Sequence, residues 1–134
     1  MIDFATYIQQ NHFMTYNGIK PVKAENGYAE TEAELTESGL NLSGYAHGGL
    51  LATMADCTAG LAARTDGRRY VTQNMNIHYI SNIQQGRLRA RGEVISRKRT
   101  VTVVHVSVCD ESGKLLADAV LSMFCIDPPS APRK

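Results

Sequence analysis

The sequence predicts an α+β domain in which an antiparallel β-sheet curls around one long central helix. Three observations lead there. Residues 47–64, HGGLLATMADCTAGLAAR, form a proline-free run that is apolar on almost every side. Four alternating segments follow it, at 69–81, 86–97, 99–110 and 114–126, joined by short connections. Two further extended segments precede it, at 18–24 and 27–35. A helix apolar nearly all round is buried on most sides, and consecutive strands with tight connections pair antiparallel. Separate helix and sheet layers would leave one side of this helix bare, so the sheet is expected to cover it.

The elements are justified in chain order. Residues 3–12 fit a short helix with Phe4, Tyr7 and Ile8 on one side. In 27–35, Tyr28, Glu30, Glu32 and Glu34 alternate against Ala29, Thr31, Ala33 and Leu35, and Glu37-Ser38-Gly39 closes the segment as a turn. The long helix is rich in helix formers, places Arg64 in its last turn where a cation suits the dipole, and is stopped by Asp66-Gly67. Its many Ala and Gly residues let other backbones approach. Along 99–110, Val104, Val106 and Val108 oppose Val103, His105 and Ser107, and Asp110-Glu111-Ser112-Gly113 reads as a hairpin turn. The strands after the helix are expected to run as a meander. The tail, about 127–134, ends PPSAPRK and is expected to be disordered.

Composition narrows the class of function. The 134 residues suit a single domain, 1–134. Hydrophobic residues make up 43% and charged residues 20%, as in a globular chain. Fourteen Lys and Arg against 13 Asp and Glu give a net charge of +1, which offers no global pull toward nucleic acid or a membrane surface. Cys57, Cys109 and Cys125 form no C-x-x-C pair and read as small hydrophobes in a reducing compartment. The opening MIDFATYIQQ carries an acid and no long apolar run, so no signal peptide is expected. No stretch approaches the ~20 apolar residues of a membrane span. A cytoplasmic protein is therefore expected. His12, His78 and His105 lack metal-ligand spacing and read as structural, and no metal is expected.

The residues with chemical potential gather on the long helix. Asp56 is a carboxylate in an otherwise apolar helix, expensive to bury without a partner or a purpose. It reads as a general base or nucleophile in a partly dry cleft, against a solvent-facing or salt-bridged alternative. Gly48-Gly49 follow His47 at the helix start, where unpaired N–H groups and the positive dipole end collect. Glycines there let a ligand oxygen reach the amides, which makes an oxyanion hole for a carbonyl such as a thioester. A glycine pair serving only tight packing is the alternative. Gly49 and Asp56 share a helix face, about 20° out of register. They also lie about 10 Å apart along the axis at about 1.5 Å per residue. One carbonyl cannot touch both. Two antiparallel helices of a twofold dimer would bring Gly49 of one copy near Asp56 of the other, so a composite site at a dimer interface is expected.

The stretch Asn41-Leu-Ser-Gly-Tyr-Ala-His47-Gly-Gly-Leu-Leu-Ala-Thr-Met-Ala-Asp56 resembles the signature of hotdog-fold thioesterases of the phenylacetate-degradation (PaaI) type. Val71-Thr-Gln-Asn-Met-Asn-Ile-His-Tyr-Ile80 is similar to that family's next strand, and the order of elements agrees from about residue 15 to residue 126. The resemblance implies hydrolysis of an acyl-CoA to a free acid and CoA. It implies that Gly48 and Gly49 supply the amide that polarises the thioester carbonyl and that Asn41 helps orient that carbonyl or the water. It makes Asp56 the catalytic carboxylate and Thr72 the hydroxyl beside it that holds the water. Asn41 and the glycines would come from one protomer, Asp56 and Thr72 from the other. His47 matches a motif His more often structural than catalytic, its imidazole bonded to nearby backbone. No separate cofactor is implied, since CoA belongs to the substrate. A homodimer is the implied minimum, and the family is frequently tetrameric.

Two residue-level alternatives remain open: Asn41 as a simple turn cap, and Thr72 as an ordinary strand residue. Arg87, Arg89 and Arg91 share one strand face, and Arg97, Lys98 and Arg99 sit at the following turn. Arg97 and Arg99 are the preferred contacts for the CoA phosphates, because Arg binds such groups bidentately. A solvated outer face is the bland alternative. Two other functions compete: a non-catalytic acyl-CoA-binding hotdog module, and a hotdog dehydratase or hydratase. Neither a fused effector nor the His-plus-acid motif of such lyases is visible. Met54, Tyr45, Met75 and Tyr79 are candidates to line an apolar acyl pocket, and such residues are as often core.

Overall fold

The computed structural model describes residues 2–127. Two short helices come first, α1 (Phe4–Gln10) and α2 (His12–Tyr16). Strands β1 (Lys20–Glu25) and β2 (Tyr28–Leu35) follow, then a 3-10 turn at Glu37–Gly39 and the long helix α3 (Gly48–Arg64). Strands β3 (Tyr70–Tyr79), β4 (Gly86–Arg97), β5 (Val101–Asp110) and β6 (Leu115–Cys125) complete the chain. The expected single N-terminal helix is two. Asn11 divides it, because its side chain accepts the Met14 amide and starts a new helix.

The six strands form one antiparallel sheet in the order β1-β2-β4-β5-β6-β3. Helix α3 touches every strand of it. The meander expectation holds for β4, β5 and β6 and fails for β3, which skips β4 and pairs with β6 at the far edge. Period-2 alternation fixes which face a residue occupies, not which neighbour its strand takes.

The core lies between α3 and the inner face of the sheet. Leu51, Met54, Ala55 and Leu61 meet Leu88, Val104, Val106, Leu116 and Leu121, all buried. Gly92 marks the closest approach: a Cβ there would lie 3.0 Å from Thr58 Cγ2 and 3.3 Å from Val106 Cγ2. The buried Thr58 hydroxyl is satisfied by the Met54 carbonyl and by Thr31 Oγ1 at 2.8 Å.

Two features differ from a fully wrapped helix. Gly49, Ala52, Thr53, Asp56 and Gly60 form a stripe along α3 that the sheet leaves partly open. Strand β3 is exposed over most of its length, with Val71 and Tyr79 about half accessible. The turns behave as expected: Asp110 Oδ1 accepts from Ser112 and Lys114 amides, and Gly113 takes a positive φ. Asp127, placed at the start of the tail, is tied to Arg69 by two bonds of 2.8 Å; the rest of that tail lies outside the described residues. No helix is long and apolar enough to cross a membrane among the described residues.

Candidate active site

Asp56 sits half-buried on the open stripe of α3. Its Oδ1 accepts the Thr72 hydroxyl at 2.5 Å. Thr72 comes from β3, just before a register shift between Thr72 and Asn74. Such bulges re-aim side chains at the ends of regular pairing. Among the described residues, Asp56 has no salt-bridge partner, so the salt-bridged alternative does not apply.

The next residue dries the flank of the acid. Burial, and then the charge of Asp56, push the Cys57 thiol up to about 12. The thiolate is the reactive form, so this cysteine is inert at neutral pH. At pH 8, iodoacetamide should label Cys57 at least ~100-fold more slowly in the native protein than after denaturation. Peptide mass spectrometry reads this directly, and rapid native labelling would show the site to be wetter than described.

The start of α3 is built from a loop. The Asn41 carboxamide oxygen accepts the amides of Ser43 and Tyr45 at 2.9 and 3.0 Å, closing a tight turn. These bonds fix the orientation of the carboxamide, so its NH2 is the group left to donate. The loop is anchored further by Asn82, which donates to the Ala46 carbonyl, and by the Ala46 amide, which donates to Ile83.

His47 is the N-cap of α3, and its Nδ1 accepts the Gly49 amide at 2.9 Å. The neutral ring must then carry its proton on Nε2. A Cβ on Gly49 would lie 3.1 Å from that Nδ1, so the glycine makes room for the imidazole. Of the two amides expected to meet a carbonyl, that of Gly49 is thus occupied. The Gly48 N–H has no partner among the described residues. Tyr79, which the sequence left as a pocket candidate, packs its ring beside Gly48 and donates its hydroxyl to the Gly48 carbonyl at 3.0 Å.

The predicted arginines have other occupations. Arg97 donates to Asp66 at 2.8 Å and to the Ala63 carbonyl at 3.0 Å, at the C-terminal end of α3. Arg68 shares that Asp66 and donates to the carbonyls of Lys98 and Arg99, which holds the β4–β5 turn in place. Burial pushes the Asp66 carboxyl up, but hydrogen bonds from Tyr70 and Arg68 and the charge of Arg97 outweigh it and leave the group below its ordinary value. Arg99 itself is exposed on the turn. Arg87 and Arg89 pair across strands with Glu34 and Glu32, and Arg91 reaches Glu30 at 3.9 Å. The structure therefore brings Asp56 and Thr72 together, gathers Asn41, His47, Gly48 and Gly49 at the other end of α3, and keeps Arg97 and Arg99 away from both groups.

Comparison with known proteins settles the family. The sequence pattern of the thioesterase superfamily matches residues 43–117, more than half of the chain. The chain belongs to the thioesterase superfamily. Its fold is the superfamily's hotdog fold, with the sheet packed on the one long helix. A Saccharolobus solfataricus protein named as an esterase is 33% identical over 110 residues, covering 81% of this chain and 79% of that protein. The PaaI phenylacetic acid degradation protein of Thermus thermophilus, solved as a point variant, superposes with a TM-score of 0.80 at 30% identity, over 85% of this chain and 98% of that one. A Streptococcus pneumoniae thioesterase protein solved with coenzyme A gives a TM-score of 0.77 at 27% identity, over 87% and 91%. That protein has also been solved with an Asp and, separately, a Thr replaced by Ala, at positions sixteen apart. In this thioesterase-superfamily chain Asp56 and Thr72 are sixteen apart as well.

Proposed function

We propose that this protein hydrolyses an acyl-CoA to a carboxylic acid and coenzyme A at a site shared between two copies of the chain. The observation that carries the reading is the Asp56–Thr72 pair standing on the open stripe of α3 with an unpartnered helix-start amide on the same helix. From Gly48 to Asp56 the helix advances about 12 Å. A reacting carbon must lie within about 3 Å of both groups, so one copy cannot supply both. The unprotected edge of β3 supports pairing with a second copy. Strand β1 at the other edge carries Pro21, two lysines and an irregular register, devices that discourage edge pairing. Strand β3 carries no proline and no lysine, although its register also shifts between Thr72 and Asn74. Small residues along the α3 stripe would let a second helix approach closely.

In this reading Thr72 holds one carboxylate oxygen of Asp56, and the other takes a proton from water as the water oxygen attacks the thioester carbonyl. The Gly48 amide and the Asn41 NH2 of the partner copy donate to the developing oxyanion. Gly49 serves this indirectly, since its amide keeps His47 in place and leaves the imidazole Nε2–H for the ligand. The tetrahedral intermediate collapses with cleavage of the C–S bond, and the proton held by Asp56 passes to the departing thiolate, giving the CoA thiol and restoring the carboxylate. The CoA phosphates are assigned to the β4–β5 turn that carries Lys98 and Arg99. The coenzyme A in the S. pneumoniae structure supports an acyl-CoA substrate, and that protein's altered Asp and Thr support the parts given to Asp56 and Thr72.

Thiol release from a panel of acyl-CoAs tests the reaction class. Binding without thiol release would favour an acyl-CoA sensor, and a change in enoyl absorbance a dehydratase. Subunit mixing tests the sharing. In a heterodimer of Asp56→Asn and Asn41→Ala chains, one site carries both changes and the other carries neither. Two near-inactive variants co-refolded at equal ratio should therefore recover about a quarter of wild-type turnover. No recovery from confirmed heterodimers would place both groups in one chain. For the phosphates, Arg99→Ala should raise KM for an acyl-CoA about 5–10-fold, the loss of one charge-assisted contact, and leave KM for the matching acyl-pantetheine unchanged. Equal effects on both substrates would remove the turn from the nucleotide site.

A further inference from the structure

The geometry points to Tyr79 as a positioning residue for the oxyanion amide: its hydroxyl holds the Gly48–Gly49 peptide and so fixes the direction of the open Gly48 N–H. This rests on the thioester-hydrolase reading and adds a residue to the same site.

One strand reaches both ends of the α3 stripe. Thr72 and Tyr79 are seven residues apart on β3. In a regular strand an odd spacing puts two side chains on opposite faces. The register shift between Thr72 and Asn74 adds one residue, so their partners on β6 are Met123 and Ala117, both buried in the core. Thr72 and Tyr79 therefore share the face turned to α3. Thr72 meets Asp56, and Tyr79 meets Gly48.

The contact at Gly48 is close. A Cβ there would lie 3.4 Å from two carbons of the Tyr79 ring. The Tyr79 hydroxyl donates to the Gly48 carbonyl at 3.0 Å, and the Gly49 amide donates to His47 Nδ1 at 2.9 Å. That carbonyl and that amide belong to one planar peptide, so the two bonds pin the plane from both sides. The pin matters because the residues on either side of it are glycines, whose backbone dihedrals are the least restricted. The preceding plane carries the Gly48 N–H and joins the pinned one at the Gly48 Cα. Its own carbonyl, that of His47, accepts the Leu50 amide at 2.9 Å. With both planes held, the open N–H keeps one direction, as a preorganised oxyanion donor requires. The two bonds on the pinned plane also run head to tail, so each polarises the other. Tyr79 acts through this peptide and not on the substrate.

The test is Tyr79→Phe in the full-length protein, which keeps the ring and removes the bond. With hexanoyl- and phenylacetyl-CoA, kcat should fall about 10-fold for both, the scale of one hydrogen bond. KM should stay within about twofold, since the oxyanion forms only in the transition state. Melting should match the wild type, whereas a merely structural role would lower the melting temperature and spare kcat. In protein labelled with 15N-glycine, the Gly49 amide proton should move upfield as its bond to His47 weakens. A folded Tyr79→Phe enzyme of wild-type kcat, or an unmoved Gly49 proton, overturns the inference and leaves the hydrolase reading standing. A loss confined to one of the two acyl groups also overturns it, and makes Tyr79 a wall of the acyl pocket. A wild-type protein that releases thiol from no acyl-CoA overturns the hydrolase reading, and the role of Tyr79 with it.

Discussion

Replacing Asp56 with Asn should lower kcat/KM for the preferred acyl-CoA by about 10²–10⁴-fold, the usual contribution of a positioned general base. That corresponds to about 3–5 kcal/mol of lost transition-state stabilisation. The substitution keeps the size of the side chain and one oxygen to accept the Thr72 hydroxyl, so the bond to β3 can persist. What disappears is the ability to take a proton or to attack carbon. Thr72→Ala should cost less, since it removes a hydroxyl that orients the acid and leaves the acid itself. Rates by thiol release, with circular dichroism and melting to verify folding, decide the matter. A folded Asp56→Asn protein of near-wild-type rate would remove Asp56 from the chemistry.

Asp66→Ala should destabilise the protein more than any change in the candidate active site. The Asp66 carboxylate is nearly inaccessible and serves two guanidiniums, Arg68 and Arg97, at 3.0 and 2.8 Å, together with the Tyr70 hydroxyl. Arg68 is as deeply buried as its partner. Breaking such a cluster leaves buried positive charge uncompensated, at about 3–5 kcal/mol. For a domain of this size the melting temperature should fall by roughly 10–20 °C. Asp66 also carries a pH signature. Its folded-state carboxyl lies below the unfolded value of about 4. Its contribution is therefore present above that unfolded value and is lost as pH falls through the lower folded one. Wild-type stability should drop on acidification below about pH 4, and the Asp66→Ala protein should show a shallower drop. Parallel pH profiles for the two proteins would mean that the cluster is not ionised as drawn.

Much of this architecture was legible in the sequence, for local reasons. The long helix announces itself by its alanines and by Asp66-Gly67, and starts one residue later than expected because His47 acts as its cap. The inner face of β5 follows from simple alternation. What alternation does not carry is partnership, so β3 could not be placed beside β6 from its own residues. The break at Asn11 is a side-chain capping event inside a pattern that otherwise continues as a helix. At the candidate site, the signature around His47 pointed to the loop that starts α3 and named both Gly48 and Gly49 as amides for a carbonyl. The structure gives the Gly49 amide to His47 Nδ1, a side-chain cap that the order of residues does not reveal. Arg97 read as a phosphate contact because its cation was visible and its buried anion was not: Asp66 lies 31 residues away.

The position of β3 has a consequence for how the protein is made. Among the described strands its sole neighbour is β6, so Thr72 lacks its sheet partner until residues 115–125 have left the ribosome and docked. The acid on α3 can be synthesised, helical and packed on β2 while its hydroxyl companion still waits. Contacts between such distant parts of a chain form late. Biogenesis should therefore yield a half-built species with a bare β6 slot and no chemistry, and loss of the last strand should silence every residue of the pair without touching either one.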